Sequence, residues 1–82
     1  MVIEVKFNSS ELAGKLRDGA YELPEGSTVT DLMDAAQREA GFDMPDELSG
    51  NLVFLYDNRH AGPDTALFGG GKLRVLFKIL GG

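Results

Sequence analysis

The sequence predicts an α+β domain: a mixed sheet of four to five strands with one main helix packed across one face. Three features predict it. Segments with period-two alternation stand at both ends of the 82-residue chain. A single stretch near the middle carries helical periodicity, and turn residues separate the elements. Two strands before a lone helix and further strands after it suit a two-layer arrangement. A chain of this length is one domain, 1–82. It buries only about 60–65% of its unfolded surface, so nearly every apolar side chain must enter one core.

The elements follow in order. Met1, Ile3, Val5 and Phe7 alternate with Glu4 and Lys6, Val2 being the apolar exception, so residues 1–7 form a half-buried strand. Asn8-Ser9-Ser10-Glu11 resembles a helix start, but Gly14 weakens it, and the segment reads as a loop with a helical turn holding Leu12 and Leu16. Asp18-Gly19 signals a turn. Ala20 to Leu23 is a second strand, with Tyr21 and Leu23 inward and Pro24 ending it. The two strands pair antiparallel across 9–19.

Thr28-Val29-Thr30-Asp31 is a capping box. Val29, Leu32, Met33, Ala36 and Ala40 then make a helical stripe, Asp31 and Asp34 suit the first turns, and Gly41 stops the helix. Phe42 to Gly50 is irregular, with Pro45 and the acids Asp43, Asp46 and Glu47. The apolar run Leu52 to Tyr56 suits a central strand. Asp57-Asn58-Arg59 and Gly62-Pro63-Asp64 are turns around a short strand or further turn. Gly69-Gly70-Gly71 is a tight bend before the last strand. There Leu73, Val75, Phe77 and Ile79 share one face, while Lys72, Arg74, Leu76, Lys78 and Leu80 share the other.

Most catalytic chemistry is excluded by what the chain lacks. It has no cysteine, hence no disulfide, thiolate metal site or cysteine nucleophile. A single histidine, His60, cannot build a two-histidine metal site and reads as a surface loop residue. The four serines, Ser9, Ser10, Ser27 and Ser49, fall in loops or at element ends, with no nucleophile turn. Gly69-Gly70-Gly71-Lys72 is not a phosphate loop: Ala66 and Leu73 stand where Gly and Ser or Thr are needed, and a strand follows. No catalytic residue, metal or bound cofactor is therefore expected.

The net charge of −5 argues against a nucleic-acid partner. No apolar run nears the ~20 residues of a membrane span, and Met1 to Phe7 lacks the basic leader of a signal peptide. A cytoplasmic protein, monomeric when free, is expected. From Asp18 to Glu47 there are nine acids and one base, Arg38, whereas Lys72 to Lys78 holds three bases and no acid. These are either solvated faces or a basic strand face that docks an acidic partner. Arg74, Leu76 and Lys78 would form that partner-binding surface.

Leu80-Gly81-Gly82 follows directly on the last strand, as either a frayed end or a functional tail. Glycines without Cβ can enter a narrow channel. A glycine α-carboxylate, with pKa of about 3.3–3.7, is ionised and unreactive at neutral pH. Activation as an acyl-adenylate would open it to attack by sulfide, a thiol or an amine. On this reading residues 80–82 are a flexible tail on which another enzyme works.

The chain resembles the ubiquitin-like sulfur carriers, the MoaD group (small subunit of molybdopterin synthase) and its ThiS-like relatives. The likeness runs nearly the whole length. It is carried by Glu11-Leu12-Ala13-Gly14-Lys15, by Glu22 to Val29 with Asp31-Leu32-Met33, by Asp64 to Leu67 with Leu73 to Phe77 as a last hairpin, and by Gly81-Gly82. The chain departs at Gly69-Gly70-Gly71-Lys72, where an acidic glycine turn is usual, and at Lys78-Ile79, where two prolines are usual. The absent prolines permit the strand to run on through Ile79.

The resemblance implies a β-grasp fold and no enzymatic activity of the chain's own. It implies adenylation of Gly82 by a MoeB/ThiF-type adenylyltransferase that uses ATP, and conversion of Gly82 to a thiocarboxylate. It further implies insertion of Leu80, Gly81 and Gly82 into the large subunit of molybdopterin synthase, where sulfur is donated in molybdopterin biosynthesis. A ThiS-like carrier for another acceptor, a ubiquitin-like modifier joined through Gly82 and a simple adaptor stay open beside it.

Overall fold

The alternation at the start of the chain becomes a strand because one face of it can be buried. In the computed structural model, which describes residues 1–8, 12 and 14–77, β1 (Val2–Phe7) turns Ile3, Val5 and Phe7 into the core and leaves Val2, Glu4 and Lys6 outside. β2 (Gly19–Glu22) pairs antiparallel with β1, Ile3 opposite Tyr21. Then come α1 (Val29–Ala40), α2 (Asp46–Ser49), β3 (Leu52–Tyr56), β4 (Arg59–Ala61) and β5 (Lys72–Phe77). The strands form one five-stranded mixed sheet in the order β2-β1-β5-β3-β4. Only β1 and β5 run parallel.

α1 begins and ends where its residues dictate. The Thr28 side chain accepts the Asp31 amide at 3.3 Å and Asp31 Oδ2 accepts the Thr28 amide at 2.9 Å, the two halves of a capping box. At the other end Gly41 adopts φ 65°, which only glycine enters without steric cost. Its amide then reaches the Arg38 carbonyl and that of Phe42 reaches Gln37, closing a Schellman motif. Val29, Leu32, Met33 and Ala36 are buried against Ile3, Val5, Leu73 and Val75 of the sheet. Leu12 and Leu16 join them from the loop after β1, where the Leu16 amide bonds the Leu12 carbonyl in a single helical turn.

Four expectations are corrected. The stretch Phe42 to Gly50 is not wholly irregular, since α2 occupies four residues of it. The Pro45 carbonyl accepts the amides of Leu48 and Ser49, a turn too short to print a periodic stripe in the sequence. β3 is an inner strand but not the centre of the sheet. β5 takes the centre, because a parallel crossover through α1 lets the last strand enter between β1 and β3. His60 lies not in a loop but on the edge strand β4, because Asp57 and Asn58, at φ 50° and 67°, make a two-residue hairpin turn. Finally, Asp64 to Leu67 forms no hairpin with β5. Ala66 bridges Thr28, and the Leu67 amide bonds the Ser27 carbonyl at 2.9 Å, so this segment closes the start of α1.

Candidate functional site

Helix α1 covers one face of the sheet, and among the described residues no helix covers the other. The outer residues of β5 are Lys72, Arg74 and Leu76. Register places their neighbours. Arg74 stands beside Lys6 on β1 and beside Leu55 on β3, and Leu55 faces His60 on β4. One lateral row therefore reads Lys6, Arg74, Leu55, His60. In the row to one side Glu4 stands beside Lys72. In the row to the other side Leu76 faces Val53. Neighbours in such rows have Cβ atoms about 4.5–5.5 Å apart.

Lys6, Lys72, Arg74 and His60 are exposed, while Val53, Leu55 and Leu76 are half-buried. Like charges directly opposite, as at Lys6 and Arg74, destabilise a sheet. Among the described residues the one ion pair is Arg17 with Glu39, so neither Lys6 nor Arg74 is held in one there. A shallow groove of about 390 Å³ runs between β1 and β5, lined by Glu4, Lys6, Lys72 and Arg74 above Val5 and Leu73. An apolar centre with a basic border is suited to meeting an acidic protein surface with an apolar middle.

The expected partner residues Arg74 and Leu76 fall together on this face. Lys78, and the tail Leu80, Gly81 and Gly82, lie outside the described residues, as does the expected run of the strand through Ile79. Sequence reading missed Lys6, Val53, Leu55 and His60. Lys6 is brought in by the parallel pairing of β1 with β5, and Val53, Leu55 and His60 by the antiparallel pairings of β3 with β5 and β4; the all-apolar run of β3 gave no sign of which residues face outward.

Among the described residues catalytic groups do not gather. The Ser27 hydroxyl donates to the Pro24 carbonyl at 2.8 Å and that of Ser49 to the Asp46 carbonyl at 3.2 Å, so both serve turns. Ser9 and Ser10 lie outside the described residues. Among the described residues no three His, Asp or Glu side chains come together as metal ligands, and no helix is long and apolar enough to cross a membrane.

A five-stranded mixed sheet with one long helix across it, its last strand parallel to its first at the centre, is the β-grasp fold. The same fold is found in proteins already solved. Small archaeal modifier protein 1 from Haloferax volcanii matches with a TM-score of 0.73 at 19% identity, over 95% of this chain and 98% of that one. A Pyrococcus furiosus protein assigned as molybdopterin converting factor subunit 1 matches with a TM-score of 0.72 at 18% identity, over 96% of this chain and 99% of that one. A chain in the complex of subunits 1 and 2 of molybdopterin-converting factor from Helicobacter pylori matches with a TM-score of 0.57 at 19% identity, over 100% of this chain and 100% of that one. No family model matches the chain, and no curated protein matches it in sequence. At these identities the likeness establishes the fold.

Proposed function

We propose that the chain is a sulfur carrier whose Gly82 carboxylate is adenylated and converted to a thiocarboxylate that donates sulfur in molybdopterin biosynthesis. The observation that carries this reading is a pair of glycines placed just beyond the central strand of a β-grasp sheet. β5 is described over Lys72–Phe77, and Gly81-Gly82 stand four and five residues further along the sequence. One similar fold belongs to a protein described as subunit 1 of molybdopterin converting factor, and another lies in a complex of subunits 1 and 2 of that factor. That supports the large subunit of molybdopterin synthase as the partner that receives Leu80, Gly81 and Gly82.

The chemistry needs no catalytic group or cofactor from this chain, which is a carrier and not an enzyme. A MoeB/ThiF-type adenylyltransferase would supply ATP and the active site. The Gly82 carboxylate attacks the α-phosphorus, pyrophosphate leaves, and a mixed anhydride forms. A sulfur nucleophile then attacks the carbonyl carbon and AMP leaves. The open face, with Lys6, Arg74, Leu55 and Leu76, is where the activating enzyme would dock, and Lys78 would extend its basic border. The setting would be the cytoplasm.

Intact mass tests the reading. The chain is incubated with an activating enzyme, ATP and a sulfide source, with a chain lacking Gly82 as control. A gain equal to one oxygen-to-sulfur exchange, absent in the control, is expected. No gain, with the enzyme competent on another carrier, overturns it.

A second reading is supported by the likeness to small archaeal modifier protein 1. A lysine amine attacking the same anhydride would join the chain to a target protein. Conjugates that persist on a denaturing gel and vanish without Gly82 distinguish this outcome.

A further inference from the structure

A cleft of about 200 Å³ opens on the helix side of the sheet, away from Lys6 and Arg74. Met33 and Asp34 of α1 line it on one side; Met44, Leu52, Phe54 and Pro63 line the other. A cavity of about 150 Å³ lined by such groups already holds benzene, so the cleft has room for one large aliphatic side chain. Its surroundings are acidic. Asp34 lines it, Asp43 precedes Met44, and Asp46 and Glu47 belong to α2, whose Ser49 also lines it. All four carboxylates are exposed, and none is in an ion pair among the described residues. No lysine or arginine lines the cleft; Arg38 lies in the neighbouring hollow with Asp34 and Asp43.

The strand beside the cleft is incompletely covered. β4 pairs with β3 only from Phe54 to Tyr56, so Leu52 has β5 on one side and no strand on the other. Across the two-residue turn Tyr56 and Arg59 exchange hydrogen bonds, and the alternation of an antiparallel ladder repeats this at Phe54 and Ala61. The next position in that series is Leu52, whose amide and carbonyl therefore point to the open edge. An extended segment laid there gains backbone hydrogen bonds and drops a side chain between Met33 and Met44.

We propose that this cleft binds an extended segment of a partner protein, with a branched apolar side chain flanked by lysine or arginine. The apolar walls choose the central side chain, and the unpaired carboxylates choose the flanking charge. The site is on the opposite side of the sheet from the basic face, so both can be occupied together. It holds whether or not Gly82 carries sulfur.

Methionine methyl signals report on it directly. The chain has three methionines, of which Met33 and Met44 line the cleft and Met1 does not. The full chain, labelled at methionine methyls, is titrated with the capped peptides KKVLVKK, EEVLVEE and KKSGSKK. Saturable shifts at Met33 and Met44, with Met1 unmoved, are expected for KKVLVKK alone. The double variant Asp34→Lys, Glu47→Lys, its fold checked by the same spectrum, should bind about five- to tenfold more weakly, as expected for two exposed charge contacts. Equal shifts with EEVLVEE or KKSGSKK, or none with KKVLVKK, overturn the proposal. Shifts that track protein concentration without peptide would put a second copy in the cleft and overturn it too.

Discussion

Gly71 lies against the ring of Tyr56 with no room for a β-carbon, which would collide with the hydroxyl end of that ring. The Tyr56 hydroxyl is fixed there by both backbone groups of one residue. It accepts the Phe68 amide at 2.6 Å and donates to the Phe68 carbonyl at 2.9 Å. The glycine triplet thus has separate reasons: Gly70 turns the chain at φ 85°, and Gly71 admits the tyrosine.

Gly71→Ala should therefore cost about 1–3 kcal/mol, from displaced packing and a strained or lost hydrogen-bond pair. Urea denaturation reads it. Gly69→Ala is the control, because its β-carbon would meet only the Met1 Cβ, at an ordinary 3.4 Å. Equal costs for the two substitutions would refute the role given to Tyr56.

Thr28→Ala should destabilise the domain by about 1 kcal/mol, since it removes the side-chain half of the capping box at the start of α1. Thr28→Ser should keep most of that stability, because its hydroxyl can still accept the Asp31 amide. The denaturation midpoints of the two variants check this.

Arg17 donates to both carboxylate oxygens of Glu39, from Nε at 2.6 Å and from Nη2 at 3.1 Å, and stacks 4.3 Å from the centre of the Tyr21 ring. The hydrogen bond from Arg17 holds the Glu39 carboxyl below its ordinary value. A lowered folded-state value means that the contribution is present above the unfolded carboxylate range and is lost as pH falls through the folded value. Both groups are exposed, so the effect on stability is small. An NMR titration should find Glu39 titrating low, and Arg17→Ala should raise its midpoint. Tyr21 shifts up, chiefly through burial. Its contribution is present below the unfolded tyrosine value near 10 and falls as pH rises beyond it.

Lys6→Glu should leave stability unchanged or raise it by about 0.2–0.5 kcal/mol, because an attractive pair with Arg74 replaces a repulsive one. The same substitution should slow association with an activating enzyme that approaches the open face, and reduce the salt dependence of that rate. Denaturation and stopped-flow association measure the two effects separately. Loss of stability with unchanged association would remove Lys6 from the docking face.

Much of this architecture was legible because its causes are local. Alternation wrote β1 and β5. The capping box and Gly41 bounded α1 within the chain, since each acts through backbone groups three to five residues away. α2 was illegible because four residues carry no period. The Asp57-Asn58 turn was legible as a turn. The strand it creates at His60 was not, because three residues become a strand only when a neighbour pairs with them.

The same division holds for the candidate site. By itself the sequence determined an α+β domain without cysteine, the inner and outer faces of its strands, and the glycine pair at 81–82. The tertiary structure alone decided which outer faces meet. Lys6 and Arg74 are far apart in the chain and become neighbours only through a parallel pairing, and Leu55 and His60 complete their row from the other side. It also decided that β5 lies at the centre, and that Met33, Met44 and Leu52 frame a cleft. Register and strand order are set by long-range burial. A core satisfied from several elements at once leaves no mark at any one position in the sequence.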